Sequence, residues 1–426
     1  MKVAIVNQSL DRILPPFQTS VGLCTYRLAR ALAPFCEVVV YGVSGTAAPL
    51  EVGQELQEEG VCYRFISPTL SDKVIGKIFK RYAKSPLGRY FNQGFKPAPS
   101  VSAWTAPLYG RKIAQDMQLQ DFDVVHFQHT SQYIPLVKRL NPQTKVVLQL
   151  HAEWFPQHNQ PLLRRRLKNV DLVATVSDYI TEKTRTDFAE LNDRCSTIYN
   201  GIDGSEFATE KDYVALRNRQ EKKILYVGAI SPHKGIHVLI EAFKIIAQQH
   251  PNACLQLAGP QWPYPLEETF AMNNTELIAK VSPYYAFDYM TLLRGMIPPE
   301  LVDQVSFLGA IPRLQLIEAF YEADVFVFPS IWDEGFGLPP LEAMASGTPV
   351  VAAQSGALAE VVQDGQQGFL VEKNDPVGLA TKIIEILVND DLKESLGKAA
   401  RARALKQFTW NQAAAVALRY YHALMQ

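Results

Sequence analysis

A glycine-rich turn flanked by two glutamates is the part of the sequence best suited to chemistry. Glu334 precedes the glycines of the turn and Glu342 follows them, with seven residues between the two. A strand pattern at residues 325–329 leads into the turn, and two prolines that suit a first helical turn follow it. Backbone N–H groups at such a helix N-terminus bind phosphate, and carboxylates accept hydrogen bonds from the vicinal hydroxyls of sugars and ribose. The alternative is a capped helix with two solvated glutamates.

Strands that alternate with helices must position these residues. Runs rich in Val and Ile predict parallel strands buried on both faces, and amphipathic stretches separate them. In the first half of the chain these runs lie at residues 3–6, 38–41, 61–66, 124–127, 146–150 and 172–176. The alternation predicts a doubly wound α/β domain over residues 1–203.

A second α/β domain is predicted over residues 204–405. Residues 204–223 carry many charges and few large apolar side chains, and we interpret them as a linker. Alternation then resumes, with strands at 224–227, 254–258, 305–308, 325–328 and 350–353 and helices at 236–249, 313–322 and 339–346. Two such domains are expected to face each other across a cleft at the carboxyl ends of their strands.

Two segments depart from this plan. Residues 260–304 hold six prolines and many aromatic residues, and we expect an insertion with short helices that covers part of the cleft. Residues 406–426 are predicted to form a helix that packs back on the first domain, with Trp410, Val416, Tyr420 and Leu424 on one face.

Composition excludes several classes of protein. The 426 residues are 47% hydrophobic, yet no apolar run approaches the ~20 residues that span a bilayer. The formal net charge of −1 argues against a general nucleic-acid binder. The five cysteines are scattered and form no CxxC pair, and the first apolar stretch is too short for a signal peptide. We expect a cytoplasmic protein with no nucleic-acid partner.

A basic amphipathic segment runs from Lys73 to Lys96, with seven basic residues and no acidic one. Val74, Ile78 and Tyr82 have helical spacing, with lysines on the other face. Such a helix suits an anionic membrane surface, which would make the protein peripheral on the inner face of the membrane. The alternative is a helix packed on its own domain with a solvated basic face.

The glutamate motif resembles the E-x7-E signature of the retaining family-4 glycosyltransferases, which have the GT-B fold of two Rossmann-like domains. Other segments resemble further motifs of that family in the same order, most densely over residues 199–410. They are Tyr199-Asn200-Gly201-Ile202-Asp203, Tyr226-Val227-Gly228 with Lys234-Gly235, residues 345–351, residues 364–371 and Phe408-Thr409-Trp410.

The resemblance implies that the turn binds the donor sugar and its diphosphate. Glu334 would accept hydrogen bonds from the sugar hydroxyls, helped by the backbone of Gly335, Phe336 and Gly337. The backbone at Leu338 would contact the diphosphate.

The resemblance also implies roles for five residues outside the turn. Glu342 would bind the ribose hydroxyls, and the backbone near Ile311 would contact the base. Lys234 would neutralise the departing diphosphate, because an ammonium is a point charge suited to phosphate. His151 would lie close to the reacting centre, and Gly22, in a loop before the first helix, would allow close approach of the backbone to the substrates.

Two positions depart from the family pattern. Ala229 stands where the family often carries an arginine, so one positive charge on the leaving diphosphate is missing. Arg294, in the insertion, is a candidate replacement. Val21 replaces the first glycine of a pair of which Gly22 keeps the second.

No metal site is expected. His126 and His129 are predicted to lie in one strand and to point to opposite faces, so they cannot converge with His151 and His158 on one ion. His126 is therefore interpreted as a core histidine. Asp121-Phe122-Asp123 mimics the metal-binding DxD motif of another glycosyltransferase fold, but here it opens a strand.

The resemblance thus implies a retaining hexosyltransferase with no cofactor and no metal in the chemical step. Its donor would be a nucleotide-diphosphate sugar, with a UDP-sugar favoured over a GDP-sugar. Its acceptor would be a hydroxyl of a sugar, a lipid-linked sugar or a small molecule, in polysaccharide, glycolipid or glycoside biosynthesis. The alternatives are a catalytically silent nucleotide-sugar-binding protein and a sugar-nucleotide epimerase of the same fold.

Overall fold

The computed structural model describes most of the chain and divides it into two compact units. The described residues are 1–8, 11–15, 18–42, 55–66, 69–84, 106–153, 160–261, 279–286 and 288–426. One unit combines Met1–Asn200 with Trp410–Gln426, and the other is Gly201–Thr409. His158, the end of the basic segment at residues 85–96 and residues 262–278 of the insertion lie outside the described residues.

The first unit is built on an eight-stranded sheet. Its strands are β1 (Lys2–Val6), β2 (Glu37–Gly42), β3 (Glu55–Glu58), β4 (Val61–Phe65), β5 (Val124–Gln128), β6 (Lys145–Leu150), β7 (Leu172–Thr175) and β8 (Cys195–Thr197). The order is β3-β4-β2-β1-β5-β6-β7-β8, and every pair is parallel except β3 with β4. The six predicted strands are confirmed. The edge strands β3 and β8 were not predicted, because neither contains an apolar run.

Helices cover both faces of this sheet, as a doubly wound topology requires. They are Ser20–Leu32, Leu70–Lys84, Pro107–Gln120, Ile134–Leu140, Gln160–Leu167, Asp178–Asp187, the 3₁₀ helix Ala189–Arg194 and Trp410–Met425. Side-chain caps fix two of the starts: Thr19 accepts a hydrogen bond from the N–H of Gly22, and Ser177 accepts one from the N–H of Ile180.

The C-terminal helix packs on helix Ser20–Leu32, but through another face than the predicted one. Its buried residues are Trp410, Ala413, Ala414, Ala417 and Tyr421, whereas Val416, Tyr420 and Leu424 are only partly buried. The prediction is confirmed for Trp410 and is wrong by one position for Val416 and Tyr420, since Ala417 and Tyr421 are the buried residues. One position is a rotation of about 100° around a helix.

The second unit has a six-stranded, fully parallel sheet. Its strands are β9 (Lys222–Val227), β10 (Ala253–Ala258), β11 (Val305–Gly309), β12 (Val325–Phe328), β13 (Val350–Ala353) and β14 (Gly368–Val371). The order is β11-β10-β9-β12-β13-β14, the Rossmann order 3-2-1-4-5-6 counted within the unit. The order reverses between β9 and β12, and ligands of such sheets bind at the carboxyl ends of the strands at this switch point.

The helices of the second unit include those predicted at 236–249 and 313–322. They are Tyr213–Asn218, Ile236–Gln249, Tyr289–Met296, Arg313–Glu322, Leu338–Ala345, Leu358–Val361, Pro376–Val388 and Asp390–Gln407, with 3₁₀ turns at Pro232–Lys234, Ser282–Ala286 and Pro299–Gln304. The short helices expected in the insertion are therefore present in its described part. Tyr289 ties this part to the helix Ile236–Gln249, since its hydroxyl lies 2.8 Å from His237 Nδ1.

The charged segment 204–223 is not a linker, and that prediction is corrected. It belongs to the second unit and contains a helix. Lys211 is buried there, and its Nζ donates to the carbonyl oxygens of Phe320 and Tyr321 and to Thr348 Oγ1. Arg219 pairs with the fully buried Asp324. Basic side chains that suggest a solvated segment in the sequence therefore find hydrogen-bond or ion-pair partners inside the fold.

Candidate functional site

The loops that follow β9 and β12 carry the predicted lysine and the first glutamate. These strands are direct neighbours, with Ile224 opposite Val325 and Leu225 opposite Phe326. Because the strands are parallel, their carboxyl ends lie at the same edge of the sheet. Lys234 follows β9 and Glu334 follows β12, so the topology of the unit brings their loops together at the switch point.

Backbone contacts hold the two loops against each other. The N–H groups of Ile331 and Trp332 both donate to the carbonyl oxygen of His233, at 3.0 and 3.2 Å. Gly235 has a φ of +72°, and a Cβ there would lie 2.1 Å from the carbonyl oxygen of Pro329. Glycine is required at this position for both reasons, and the contact fixes the neighbouring Lys234 beside the glutamate loop.

Lys234 and Glu334 form an ion pair in this contact. Lys234 Nζ lies 2.6 Å from Glu334 Oε1, and Ser330 Oγ donates to the same oxygen at 2.5 Å. The side chains are 20% and 12% exposed, so both remain partly accessible to solvent. The arrangement places a cation and an oriented carboxylate at the edge where a phosphate and a hydroxylated ligand are expected.

The turn that carries Glu334 is held by residues that follow β13 and β14. The N–H of Ala357 donates to the carbonyl oxygen of Glu334 at 2.9 Å, and the N–H of Gly356 donates to Asp333 Oδ1 at 2.8 Å. Lys373 adds an ion pair with the same oxygen of Asp333. The backbone of Glu334 is therefore held from both sides.

The turn ends at the helix Leu338–Ala345, which begins after Gly337 in the left-handed region, at φ +102°. Pro339 and Pro340 have no N–H, and the N–H of Leu341 bonds to the carbonyl oxygen of Gly337. Leu338 is therefore the residue of the first turn that keeps a backbone N–H at the start of the helix, and its contact with a diphosphate stays a prediction. Phe336 is buried, with its ring edge-on to Phe408 at 5.9 Å, while Gly335 is partly exposed.

Glu342 projects from this helix and is 8% exposed. Arg313 Nη1 lies 2.6 Å from Glu342 Oε1, and Arg313 Nη2 lies 2.6 Å from Glu206 Oε2. Burial would by itself lower the pKa of the Arg313 guanidinium, but the two carboxylates raise it above its ordinary value. Ile311 lies two residues before Arg313, so this ion pair also brings the predicted base-contacting loop next to Glu342.

Sequence reasoning missed three residues of this site. Ser330 directly follows β12 within the glutamate motif, and its position at a strand end was a usable signal. Arg313 and Glu206 had no such signal. Arg313 contacts Glu206, 107 residues before it, and Glu342, 29 residues after it, and only the fold reveals these contacts.

His151 and Gly22 belong to the first unit: His151 directly follows β6, and Gly22 lies in the helix that follows β1. His151 Nε2 lies 2.6 Å from Gln128 Oε1, and Gln128 Nε2 donates to Gln149 Oε1 at 3.2 Å. An amide oxygen only accepts, so Nε2 carries the hydrogen of the imidazole. Burial lowers the pKa of His151 to about 3, and the ring is neutral at physiological pH.

The other two histidines near this position differ in part from expectation. His126 is fully buried, as interpreted, and its Nδ1 lies 2.5 Å from the hydroxyl of Tyr421. His129 is not in the strand, which ends at Gln128, and it has a φ of +54°. The prediction that His126 and His129 lie in one strand and point to its opposite faces is therefore wrong. His129 Nδ1 instead accepts the backbone N–H of His151 at 3.1 Å.

Gly22 lies inside the first turn of helix Ser20–Leu32 rather than in a loop before it, which corrects the predicted helix start. A Cβ at this position would lie 1.9 Å from the carbonyl oxygen of Arg12. The close packing of the chain on itself therefore accounts for a glycine here. Its contact with a substrate stays a prediction.

The two departures from the family pattern occupy different places in the second unit. Ala229 lies in the same loop as Lys234, and its carbonyl oxygen accepts the hydroxyl of Tyr226 at 3.0 Å. Arg294 stacks over the ring of Phe307 at 5.1 Å. Phe307 belongs to the edge strand β11, which β10 separates from β9, so this contact directs Arg294 to the edge of the sheet.

Comparison with known proteins identifies the family. The model described as Glycosyltransferase Family 4 matches residues 21–206, and the model described as Glycosyl transferases group 1 matches residues 221–389. YtcC of Bacillus subtilis (strain 168), whose name describes it as a glycosyltransferase, is 30% identical over 319 residues, covering 72% of this chain and 74% of that protein.

Solved structures agree with this family in their fold. HepE of Anabaena in complex with UDP-glucose has a TM-score of 0.65 at 22% identity, covering 99% of this chain and 100% of that one. Sucrose-phosphate synthase from Thermosynechococcus elongatus has a TM-score of 0.70 at 20% identity, covering 100% and 99%. The fold is GT-B, and the chain belongs to the family-4 glycosyltransferases.

Proposed function

We propose that this glycosyltransferase is a retaining enzyme that transfers a hexose from a nucleotide-diphosphate sugar to a hydroxyl acceptor. The observation that carries the proposal is the pair Lys234–Glu334 at the switch point of the second sheet, followed by a helix N-terminus and Glu342. In the proposal Glu334 accepts hydrogen bonds from the sugar, the N–H of Leu338 and the ammonium of Lys234 bind the diphosphate, and Glu342 binds the ribose.

The proposed reaction uses these groups to stabilise the departing diphosphate. The bond between the anomeric carbon and the diphosphate oxygen breaks, and its electron pair goes to the diphosphate. The acceptor hydroxyl oxygen bonds to the same face of the anomeric carbon, and its proton passes to the leaving phosphate oxygen. Negative charge grows on the diphosphate along this path, so a preorganised cation and backbone donor lower the barrier.

We favour a UDP-sugar as donor. HepE, which shares the fold over nearly the full length, has been solved with UDP and with UDP-glucose. The predicted base contact is from the backbone near Ile311, which can suit more than one base, so a GDP-sugar is the second candidate. For the first unit the proposal assigns substrate contact to His151, whose neutral imidazole offers a hydrogen bond without adding charge.

Slow donor hydrolysis tests this function without knowledge of the acceptor. The purified chain is incubated with UDP-glucose, UDP-galactose, UDP-N-acetylglucosamine and GDP-mannose, and the anomer first released is followed by NMR. We expect an α-linked UDP-sugar to release the α-anomer first. Initial release of the β-anomer would contradict retention, and binding of the donors without any hydrolysis would favour the silent binding protein.

An anionic membrane surface is the second partner that we propose. In the helix Leu70–Lys84, an apolar stripe of Leu70, Val74, Ile78 and Tyr82 is 80, 54, 64 and 40% exposed. A helix packed on its own domain through this face would bury these residues. The opposite side is the buried one, where Asp72 Oδ1 accepts the N–H of Leu108 at 2.8 Å.

Exposed basic residues flank this stripe, including Lys73, Lys77 and Arg81. An exposed apolar stripe with a basic rim fits the interface of an anionic bilayer. Among the residues that the structure describes, no helix is long and apolar enough to cross a bilayer. The contact that we propose is with the surface of the membrane.

A further inference from the structure

We infer that Arg313 is a positioning residue that orients the carboxylate of Glu342 for the ribose of the donor. The inference rests on the proposed role of Glu342 and adds two residues to it. Arg313 is the first residue of helix Arg313–Glu322, and Glu342 lies in the helix after the glycine-rich turn. One guanidinium thus links the loop after β11 to the helix after β12.

The two ends of the guanidinium are held by different carboxylates. Nη1 bonds to Glu342 Oε1 and Nη2 bonds to Glu206 Oε2, each at 2.6 Å. The guanidinium is planar and rigid, so it cannot turn toward one partner without stretching its bond to the other. Glu206 therefore fixes Arg313, and Arg313 fixes the direction of Glu342.

A buried aromatic residue packs beside the guanidinium of Arg313 and its two carboxylate partners. Phe207, which follows Glu206, is fully buried, and the guanidinium of Arg313 lies 5.8 Å from its ring centroid. The carbonyl oxygen of Phe207 accepts Arg401 Nη2 at 2.7 Å. The segment that carries Glu206 is thus anchored to the helix Asp390–Gln407. Movement of Arg313 would require this anchored segment to move as well.

Loss of Arg313 would change the charge and orientation of the Glu342 carboxylate, and not only the stability of the protein. Two carboxylates that now share one cation would be left near each other in a partly buried place. Such pairs favour uptake of a proton by one member. A protonated or rotated Glu342 is a poorer acceptor for two ribose hydroxyls, so the defect should appear specifically in recognition of the ribose.

The test measures preference for ribose over deoxyribose. Dissociation constants of UDP and 2′-deoxy-UDP are measured by calorimetry on the full chain, and the guanosine pair is used if the donor assay identifies a GDP-sugar. Loss of a hydrogen bond to a charged group gives an expected preference for UDP of about tenfold or more in the unchanged protein. Glu342→Ala should reduce this preference to about twofold or less.

Three further variants separate orientation from stability. Arg313→Gln and Glu206→Gln should both reduce the preference for UDP over 2′-deoxy-UDP toward that of Glu342→Ala. Arg313→Lys should reduce this preference too, because one ammonium cannot bond to both carboxylates in the geometry of the guanidinium. Arg219→Gln is the matched control. It breaks another arginine–carboxylate pair of the same unit, with Asp324 at the amino end of the sheet, and should lower the thermal midpoint while the ratio stays unchanged.

These outcomes separate the proposed ribose role of Glu342 from the positioning role of Arg313. If Glu342→Ala leaves the ratio unchanged, both the ribose role and the inference are overturned. If Glu342→Ala collapses the ratio but folded Arg313→Lys and Glu206→Gln keep it, the ribose role stands and only the inference fails. If Arg313→Gln does not fold, Arg313→Lys and Glu206→Gln still decide, since both keep hydrogen-bonding side chains of similar size.

Discussion

Lys234 and Glu334, which are 100 residues apart in the chain, are joined by a 2.6 Å contact between Nζ and Oε1. The cation proposed for the diphosphate and the carboxylate proposed for the sugar therefore hold each other in place. Ser330 supports the same carboxylate oxygen. A change in either charged residue should disturb the other, and predictions for the two must be separated by what each variant does to binding and to turnover.

Glu334→Gln should retain nucleotide binding but lose most of its transfer activity. The amide keeps the size of the side chain but removes the charged acceptor, at a cost of ~1.5–3 kcal/mol in the transition state. UDP affinity is measured by calorimetry, and turnover is measured by donor hydrolysis. Ser330→Ala is the milder comparison, since it removes one neutral donor to the same oxygen. Near-normal turnover by folded Glu334→Gln would remove this residue from the site.

Lys234→Ala should lower turnover more than it weakens donor binding, because charge on the diphosphate grows as the glycosidic bond breaks. The effect is measured as the separate changes in kcat and KM for donor hydrolysis. A tenfold fall in kcat would correspond to about 1.4 kcal/mol. Equal binding loss for UDP and the donor with unchanged kcat would assign Lys234 to ground-state binding alone.

Ala229→Arg should partly restore turnover to Lys234→Ala. Ala229 lies in the loop that also carries Lys234, and the family often has an arginine at this place. In that variant a guanidinium there would supply a cation for the diphosphate in place of the missing ammonium. The measurement compares kcat of the single and double variants. If the folded double variant is no faster than Lys234→Ala, the two positions do not act on the same phosphate.

Stability should fall as pH falls below about 6.5, because several histidines are buried in the neutral form. Burial lowers the pKa of His126, His151 and His233 to about 3 and that of His237 to about 4. Below pH 6.5 the unfolded chain takes up protons that the folded chain does not, and each such group costs at most about 1.4 kcal/mol per pH unit.

Urea unfolding between pH 7.5 and 4.5 measures this slope. Asp11 opposes it, since burial raises the pKa of this carboxyl to about 6, and the folded chain then binds the extra proton below that pH. His126→Gln should reduce the slope of the unfolding free energy against pH by up to the contribution of one proton, which is about 1.4 kcal/mol per pH unit. His422→Gln, on an exposed position of the C-terminal helix, is the control and should leave the slope unchanged. An equal slope in all three proteins would contradict the assignment.

The unmodified protein should sediment with vesicles that contain anionic lipid at low salt and should be released at high salt. Each basic residue near such a surface contributes about 1 kcal/mol, and the attraction decays over a Debye length. Lys73→Glu with Lys77→Glu should abolish sedimentation without changing donor hydrolysis. Lys398→Glu with Lys406→Glu, in the second unit, is the control of equal charge. A protein that stays in the supernatant at low salt would exclude this surface as a partner.

The sequence alone determined the strands and helices that have a strong apolar period. The strand β12 and the part of β9 from Ile224 onward are continuous apolar runs, and the helix Arg313–Glu322 was predicted with its observed bounds. The same is true of the glutamate turn, because glycines, prolines and carboxylates in a fixed order define a local structure. Such features depend on neighbours within a few residues, and those neighbours are visible in the sequence.

Only the tertiary structure decided which distant side chains meet. The edge strands β3 and β8 form because a neighbouring strand offers hydrogen bonds, although their own residues have no apolar pattern. Lys211 is buried because carbonyl oxygens of the helix Arg313–Glu322 accept hydrogen bonds from its amino group. Arg313 reaches Glu342 and Glu206 for the same reason. The free energy of a buried charged group depends on the partners that the fold places beside it. These partners are distant in the chain, so the sequence around Arg313 does not indicate them.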